Sequence, residues 1–241
     1  MKEIEKNENQ IVFSADIVEA LVNAVRRYIH HVPVMAVDVA EISRNDSALY
    51  DETVAHRIGL IPLKYDKAIT GKSEAKLKLE VKKEGNVYSG DMKGNDIKVV
   101  YDKIPITTLA KGQEMKIVAN VRPGTGSEHA KFSPGLMFYR HGTEVTLDKD
   151  LYEEIKKICP NNEIKEKGDK IIISDNLKKE ITDVCEGIAQ KTKKKAEVRN
   201  TGEMIISIES FGQITPEKMF SESVSALKKD LSEFSKFIDK A

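Results

Sequence analysis

The apolar positions near the start of the chain change from a strand-like period to a helical one and back. Residues 2–13 predict a short hairpin, because two strand-like stretches flank a turn rich in Asn. The residues from Ser14 or Asp16 to Ile29 predict a helix, and either polar residue can cap its free amide groups. Alternation returns at 37–39 and predicts a strand after the helix.

The middle of the chain predicts a separate β-rich unit. Two stretches, 76–82 and 115–121, alternate apolar and polar residues with the period of a half-buried strand. Turn-forming residues, such as those at 84–86, separate short strands at frequent intervals. This character begins near residue 44 and ends near residue 146.

Residues 148–200 are rich in Lys and Glu. They predict helices near 151–158 and 177–189, with a strand at 171–173 between them. The lysine run at 191–195 is typical of a solvated loop.

A final helix is predicted after a strand at 204–208. Its start is marked by Thr215 as the capping residue, Pro216 at the first helical position and Glu217 in the first turn. Apolar residues then repeat at alternating spacings of four and three, which is the a/d pattern of a helix packed along one seam. The seam consists of Phe220, Val224, Leu227, Leu231, Phe234 and Ile238.

The first helix carries two such seams, which is more apolar surface than packing on one side requires. One consists of Ile17, Leu21, Ala24 and Tyr28, and the other of Val18, Val22, Val25 and Ile29. Each fully buried side chain of this size contributes on the order of 1.5–3 kcal/mol, so we expect the seams to be covered. The pattern leaves open whether this chain or a partner covers them.

Composition narrows the function classes. Lys and Arg together number 39, as do Asp and Glu, and this zero net charge disfavours an autonomous phosphate-binding protein. No apolar run approaches the roughly 20 residues that span a bilayer, and the charged first residues do not resemble a signal peptide. We therefore expect Cys159 and Cys185 to be reduced thiols in a cytoplasmic protein.

Signals for catalysis and for metal binding are weak. The sequence contains no Walker-type phosphate loop, no zinc-protease helix motif, no nucleophile elbow and no acidic triplet for magnesium. The glycines at 124–129 indicate a turn, because the third glycine of a phosphate loop is missing. The spacing of the five histidines is not that of metal ligands. They are His30, His31, His56, His129 and His141. We expect no catalytic and no metal-binding residues.

Three segments resemble a known family. LVNAVRRYIHHVPVMAVDVAEISRNDSALYDETVAHRIGLIPL, at 21–63, resembles the signature of the D subunit of archaeal RNA polymerase. GTGSEHAKFSPG at 124–135 and ESFGQITPEKMF at 209–220 are similar to a loop and to the start of the last helix in that family. The family also includes the bacterial alpha subunit and the third-largest subunit of eukaryotic RNA polymerase II.

The resemblance implies an α+β fold with a discontinuous alpha-type dimerisation domain, a sheet with two long helices formed by 1–44 and 201–241. A β-rich insert domain is expected at 45–147 and a small, degenerate ferredoxin-like domain at 148–200. Many relatives hold an iron–sulfur cluster in that third domain, and a cubane takes four thiolates. Because this chain has only two cysteines, we expect no cluster and no other cofactor.

The resemblance also implies partners. The chain would pair with the small L subunit and contact the second-largest and the small zinc-bearing subunits, with no catalytic contact to nucleic acid and none to a membrane. The dimer interface would consist of Val18, Val22, Val25, Ile29, Phe220, Val224, Leu227, Leu231, Phe234 and Ile238. Contacts with other subunits would come from Asn23, Arg26, Arg27, His56, Arg57, His129, Lys131 and Phe132. For Arg26 and Arg27, the alternative to a subunit contact is a local ion pair with Glu19 or Asp38.

The expected function is that of a non-catalytic scaffold that forms a heterodimer with L and seats the catalytic subunits. A redox or metal sensor descended from the ferredoxin-like part is a second hypothesis, which the scarcity of cysteines disfavours. A stand-alone nucleic-acid-binding module is a third, which the zero net charge disfavours.

Overall fold

The computed structural model describes residues 1–65, 68, 70 and 73–239 of an α+β protein with more strands than helices. In chain order the elements are β1 (Lys2–Lys6), β2 (Gln10–Ala15), α1 (Glu19–Tyr28), β3 (Val34–Asn45), α2 (Asp51–Gly59), β4 (Leu63–Tyr65), β5 (Ala75–Val81), β6 (Gly85–Tyr88), β7 (Ile97–Val99), β8 (Pro105–Leu109), β9 (Met115–Gly124), β10 (Gly135–Asp148), α3 (Tyr152–Ile158), β11 (Ile164–Lys167), β12 (Lys170–Asp175), α4 (Thr182–Lys191), β13 (Glu197–Ser210) and α5 (Pro216–Ile238).

The chain divides into two compact units, each made of two separate stretches. The sheet unit comprises Met1–Ala24 and Met137–Glu209. The insert unit comprises Val25–Leu136 and Ser210–Ala241. Each unit therefore joins parts of the chain that are distant in sequence.

The sheet unit is built on a six-stranded sheet in the order β1-β2-β13-β10-β12-β11. Helices α3 and α4 pack on one face of it, because their apolar side chains share one core with those of β10 and β12. From β10 to β13 the elements follow the β-α-β-β-α-β order of ferredoxin-like folds. The core consists of Val145, Leu147, Leu151, Ile155, Cys159, Ile171, Ile173, Ile181, Cys185, Ile188 and Ala189.

This ferredoxin-like region differs in its limits from the expected third domain. Strand β10 begins at Gly135 and crosses the expected boundary after residue 147. Strand β13 crosses the expected boundary after residue 200 and continues to pair with β2. Because both strands run uninterrupted through these positions, the backbone forms two compact units in place of three domains.

Helix α1 begins later than the sequence suggested. Ser14 lies inside β2, where it is buried and paired with β13, and Asp16 also precedes the helix. The first residue of α1 is Glu19, and the carbonyl of Val18 accepts from the amide of Val22 at 3.3 Å. Pairing with β13 holds Ser14 in an extended conformation, so the hydrogen bonds of the sheet outweigh the preference of serine for a helix cap.

In the insert unit, β3, β9 and β5 form an antiparallel three-stranded sheet with one buried apolar face. The alternations predicted at 76–82 and 115–121 correspond to β5 and β9, and both predictions are confirmed. Helix α2 and the strand pairs β4–β7 and β6–β8 share the same core. That core includes Met35, Val37, Val54, Ile58, Leu77, Leu79, Ile106, Met115 and Ile117.

The start of α5 follows the predicted chemistry. The Thr215 hydroxyl accepts a hydrogen bond from the amide of Lys218 at 3.3 Å, and Pro216 is the first helical residue. Because proline has no amide hydrogen and a fixed φ, it suits this position.

A buried ion pair fixes the end of β12 in the sheet unit. The carboxylate of Asp175 has no exposed surface, and its Oδ1 lies 2.9 Å from Nη2 of Arg140. Its Oδ2 accepts from the amides of Ile181 and Thr182 at 3.0 and 3.2 Å and from the Thr182 hydroxyl at 2.9 Å. The Asp175 side chain thus joins a strand of the sheet to the first turn of α4.

We expect Asp175→Asn to lower the free energy of unfolding by about 2–4 kcal/mol, because the substitution leaves the largely buried Arg140 without a counter-charge. Urea denaturation followed by circular dichroism measures the change. The control is Glu163→Gln, which removes an exposed ion pair with Lys165 and should change stability by less than about 0.5 kcal/mol. Equal effects of the two substitutions would contradict a special role for Asp175.

Candidate subunit interfaces

The segment that leads into α5 is bound to two other parts of the insert unit. The side-chain amide of Gln213 donates to the carbonyl of Met35 at 3.4 Å, and the amide of Phe211 donates to the carbonyl of Pro134 at 3.0 Å. Between them, Gly212 has a φ of +89°, a conformation that favours glycine. The three sequence segments that carry the family resemblance therefore meet here.

The glycine-rich loop between β9 and β10 packs on the short helical turn Ile29–His31 that follows α1. The amide of Ser127 donates to the carbonyl of His30 at 3.2 Å, and the Ser133 hydroxyl lies 3.2 Å from Nδ1 of His30. A β-carbon at Gly126 would lie only 2.8 Å from the same nitrogen. The glycine is needed for this close approach, so the loop has a packing role.

Phe132, which the family resemblance suggested as a contact with another subunit, lies in the core. Its side chain is 0% exposed and packs against Val34 and Ala36. A β-carbon at Gly124 would lie 2.7 Å from the ring, so this loop glycine makes space for it. The ring offers no surface to a partner, and its role is to hold the loop in place.

Charged side chains around Asp38 fix the outer side of this loop. Arg122 Nε and Lys131 Nζ each lie 3.1 Å from an Asp38 carboxylate oxygen, and Arg122 Nη1 lies 3.1 Å from Oε2 of Glu128. Partial burial raises the pKa of Asp38, but the hydrogen bonds from Lys131 and Arg122 outweigh it and hold the pKa below its ordinary value. The hydrogen bond from Arg122 likewise lowers the pKa of Glu128. The network is therefore charged at neutral pH.

The two carboxylates considered as partners for Arg26 and Arg27 have other contacts. Asp38 is bonded as described, and in the sheet unit Glu19 accepts from the Tyr139 hydroxyl at 3.3 Å. Glu19 also lies 3.4 Å from Nε2 of His141. On α1, Arg27 is exposed, while Asn23 and Arg26 are half-buried.

The structure brings together three of the predicted contact residues around one pocket. His56 of α2 and the loop residues His129 and Lys131 line a cavity of about 190 Å³ in the insert unit. Its apolar wall includes Val37 and Leu60, and Leu60 is 51% exposed. Val37 was not predicted as a contact, because periodicity does not show which apolar residues flank a cavity. The remaining predicted contact on α2, Arg57, is exposed outside the pocket lining.

Most of the α1 seam proposed as a dimer interface is already covered within this chain. Val22, Val25 and Ile29 are buried, so a partner would gain almost no further apolar area from them. Val18, at the start of the seam, is 70% exposed, and its neighbour Leu21 is 44% exposed. The exposed apolar residues of this seam region are therefore the two nearest the first turn of α1.

The seam of α5 changes from covered to exposed along the helix. Leu227 is buried, and Phe220 and Val224 are half-buried. Beyond them, Leu231, Phe234 and Ile238 are each 58–64% exposed. Phe237, which lies outside the a/d pattern and was not predicted, is also exposed. We call these last four residues the exposed end of the α5 seam.

A hydrogen bond lies at the point along α5 where the buried part of its seam gives way to the exposed part. The Tyr28 hydroxyl donates to Oδ2 of Asp230 at 2.9 Å, and this raises the pKa of the tyrosine. Asp230 immediately precedes the exposed end of the α5 seam. The contact joins the end of α1 to α5 within the insert unit.

Both cysteines are free and buried in the core of the sheet unit. Burial raises the pKa of the Cys185 thiol to about 12, with smaller contributions from Cys159 and Asp175. Burial also raises the pKa of Cys159, with a smaller contribution from the charge of Asp175. A metal binds the thiolate, so these environments disfavour ligation. Within the described ranges, no three His, Cys, Asp or Glu side chains are placed so that they could hold a metal ion.

The described helices are also too short or too polar to cross a membrane.

Comparison with known proteins identifies the family. The family model described as the RNA polymerase Rpb3/RpoA insert domain matches residues 37–137. DNA-directed RNA polymerase subunit Rpo3 of Pyrococcus horikoshii is 38% identical over 188 residues, covering 72% of this chain and 73% of the relative. The Rpo3 subunits of Pyrobaculum arsenaticum and Methanobrevibacter smithii are 32% and 30% identical, covering 89% and 96% of this chain and 86% and 95% of their own.

The matched insert and the α+β fold define an RNA polymerase subunit of the Rpb3/RpoA class. Within that class, the chain belongs to the family of archaeal DNA-directed RNA polymerase subunit Rpo3.

We expect iodoacetamide to leave Cys185 unmodified in the native protein. With a thiol pKa of about 12, only about one Cys185 side chain in ten thousand is a thiolate at pH 8. Because the thiolate is the reactive form, alkylation should be about a thousandfold slower than in the unfolded chain. Mass spectrometry of samples quenched over time, with and without urea, measures both rates. Rapid labelling without urea would contradict the buried environment.

We expect Phe132→Ala to cost about 3–5 kcal/mol of stability, because it leaves a cavity in place of a fully buried ring. Urea denaturation measures the loss. The exposed pocket residue His56, replaced by Ala, is the control and should change stability by less than about 0.5 kcal/mol. If Phe132→Ala left stability unchanged and affected only subunit binding, the ring would be a contact after all.

Proposed function

We propose that this chain acts as the D subunit, the assembly scaffold, of an archaeal RNA polymerase and catalyses no reaction itself. It forms a heterodimer with an L-type small subunit and docks the second-largest and the small zinc-bearing subunits. Nucleotidyl transfer belongs to the largest subunits. The observation that carries the proposal is the exposed end of the α5 seam, and the family membership given above supports it.

The geometry of α5 argues for a partner along one stripe of the helix. At about 100° per residue, the exposed Leu231, Phe234 and Ile238 continue the stripe on which Phe220 is half-buried and Leu227 is buried. The stripe is thus apolar throughout, but it is partly or fully covered up to Leu227 and exposed beyond it. An exposed apolar stripe of this kind is typical of a protein interface.

Burial of this surface by a partner would contribute favourable free energy to pairing. Each large apolar side chain that becomes fully buried contributes on the order of 1.5–3 kcal/mol, and four such side chains lie at the exposed end of the seam. A helix from a related subunit, packed against α5, would bury Leu231, Phe234 and Ile238 as a coiled-coil seam does, with Phe237 beside them. Val18 and Leu21, at the start of α1, offer further exposed apolar surface.

The pocket in the insert unit supports the docking of further subunits. Its wall is apolar at Val37 and Leu60, and its rim carries His56, His129 and Lys131. Such a mixture of an apolar floor and a polar rim suits a protein interface, where apolar contacts give affinity and polar ones fix orientation. We assign this pocket, together with Arg57 and the polar residues of α1, to contacts with the second-largest and small zinc-bearing subunits.

The proposal predicts that Leu231→Glu/Phe234→Glu abolishes pairing with the L-type subunit. Two charges placed in an apolar seam should weaken the complex about 100-fold or more. The matched control, Ser225→Glu/Ser232→Glu, adds the same charge to positions off the a/d seam of α5. Co-expression with the L-type subunit followed by light scattering across a gel-filtration peak measures the stoichiometry.

The expected result is a one-to-one complex for the natural sequence and for the serine variant, and a lone chain for the Leu231/Phe234 variant. Circular dichroism of each variant establishes that the fold is intact, since Leu231 and Phe234 are exposed. A complex that both variants form equally well would rule out α5 as the pairing surface.

A further inference from the structure

A groove that is separate from the pocket described above lies on the insert unit and is rich in lysine. It has a volume of about 410 Å³ and is lined by residues of β5 and of the segment 93–96. Its lining includes three lysines, Lys76, Lys78 and Lys93, and one acidic residue, Asp96. A concave surface with an excess of one charge concentrates ligands of the opposite sign.

The groove is built into the backbone. The backbones of Lys78 and Lys93 exchange two hydrogen bonds of 2.8 Å, which hold the segment 93–96 beside β5. A β-carbon at Gly94 would lie 2.9 Å from the carbonyl oxygen of Lys76 and 2.8 Å from Cγ2 of Ile97. Any larger residue would push the segment away from the strand, so the groove is preformed.

Two of the three lysines are available to a ligand. In the part of the chain that the structure describes, Lys76 and Lys78 form no ion pair, and Lys93 Nζ donates to the carbonyl of Gly90 at 2.6 Å. Just beyond β5, by contrast, Lys82 lies 3.7 Å from Glu80. The excess positive charge of the groove is therefore not neutralised by neighbouring carboxylates on β5.

We propose that this groove binds an acidic segment of a partner protein in an extended conformation. Lys76 and Lys78 lie on the same face of β5, two residues apart, so their α-carbons are separated by about 7 Å. An extended peptide repeats its side chains at the same interval, and alternate carboxylates can then meet successive ammonium groups. This function is independent of the heterodimer proposed above.

The composition of the groove favours an acidic peptide over nucleic acid. Within the described residues, neither aromatic nor arginine side chains line it, whereas proteins that bind single strands stack bases on such groups. Duplex binding commonly uses about 6–10 phosphate contacts, and this groove offers three lysines. An acidic segment that pairs with a few exposed lysines binds weakly, and its binding is sensitive to salt.

The test uses the full-length chain and a fluorescein-labelled peptide of about eight alternating Asp and Ser residues, whose carboxylates share one face when extended. Fluorescence anisotropy at low ionic strength gives its dissociation constant. We expect Lys76→Gln/Lys78→Gln/Lys93→Gln to weaken binding about tenfold, because several weak ion pairs are lost together.

The control is Lys83→Gln/Lys103→Gln/Lys111→Gln, which removes the same charge from exposed positions of the insert unit. It should bind the peptide as the natural sequence does. Equal weakening in the two triple variants would show non-specific attraction and overturn the proposal, as would the absence of binding by the natural sequence.

Two further measurements separate shape and ligand class from charge. Gly94→Ala keeps every charge but displaces the segment 93–96, so it should also weaken peptide binding, and unchanged binding would refute the preformed groove. A labelled single-stranded DNA of equal charge should bind more weakly than the peptide. Tighter DNA binding that the groove variant abolishes would assign the site to nucleic acid and overturn the proposal.

Discussion

The position of β13 in the middle of the six-stranded sheet is the constraint on which the sheet unit depends. This strand lies between β2, from the start of the chain, and β10. Its register pairs Met204 with Ala15 and Ile208 with Ile11. The entropy of closing so long a loop grows only slowly with its length, and the apolar side chains buried along β13 offset it. β13 therefore joins the start of the chain to the ferredoxin-like strands in one sheet.

In the insert unit, the loop that lines the pocket with His129 and Lys131 is held in place both by the core and by surface ion pairs. The buried ring of Phe132 supports the loop from the core, and the bonds of Asp38 to Arg122 and Lys131 restrain its surface. A partner that binds there meets side chains with little freedom left to lose, which lowers the entropic cost of association. The glycines of the loop serve this rigidity, since they allow its close packing.

Local chemistry predicted the elements better than the surfaces. The Thr215 cap and the alternating strands were readable because each signal acts on its own neighbourhood. The prediction of Ser14 as a cap was wrong because a strand distant in sequence pairs with its backbone. The seam of α5 has one period throughout, and only the fold shows that Leu227 is covered and Leu231 is not. The motif around Phe132 marked the family without showing which of its side chains face inwards.

The order in which the strands leave the ribosome has a consequence for synthesis. β13 is the last strand of the sheet to be translated, yet it occupies a central place. Until it emerges, β2 and β10 each present an unpaired edge of backbone donors and acceptors, which is a template for aggregation. Nascent chains stalled before Glu197 are therefore open to mispairing and to chaperones, whereas completed chains close the gap within one molecule.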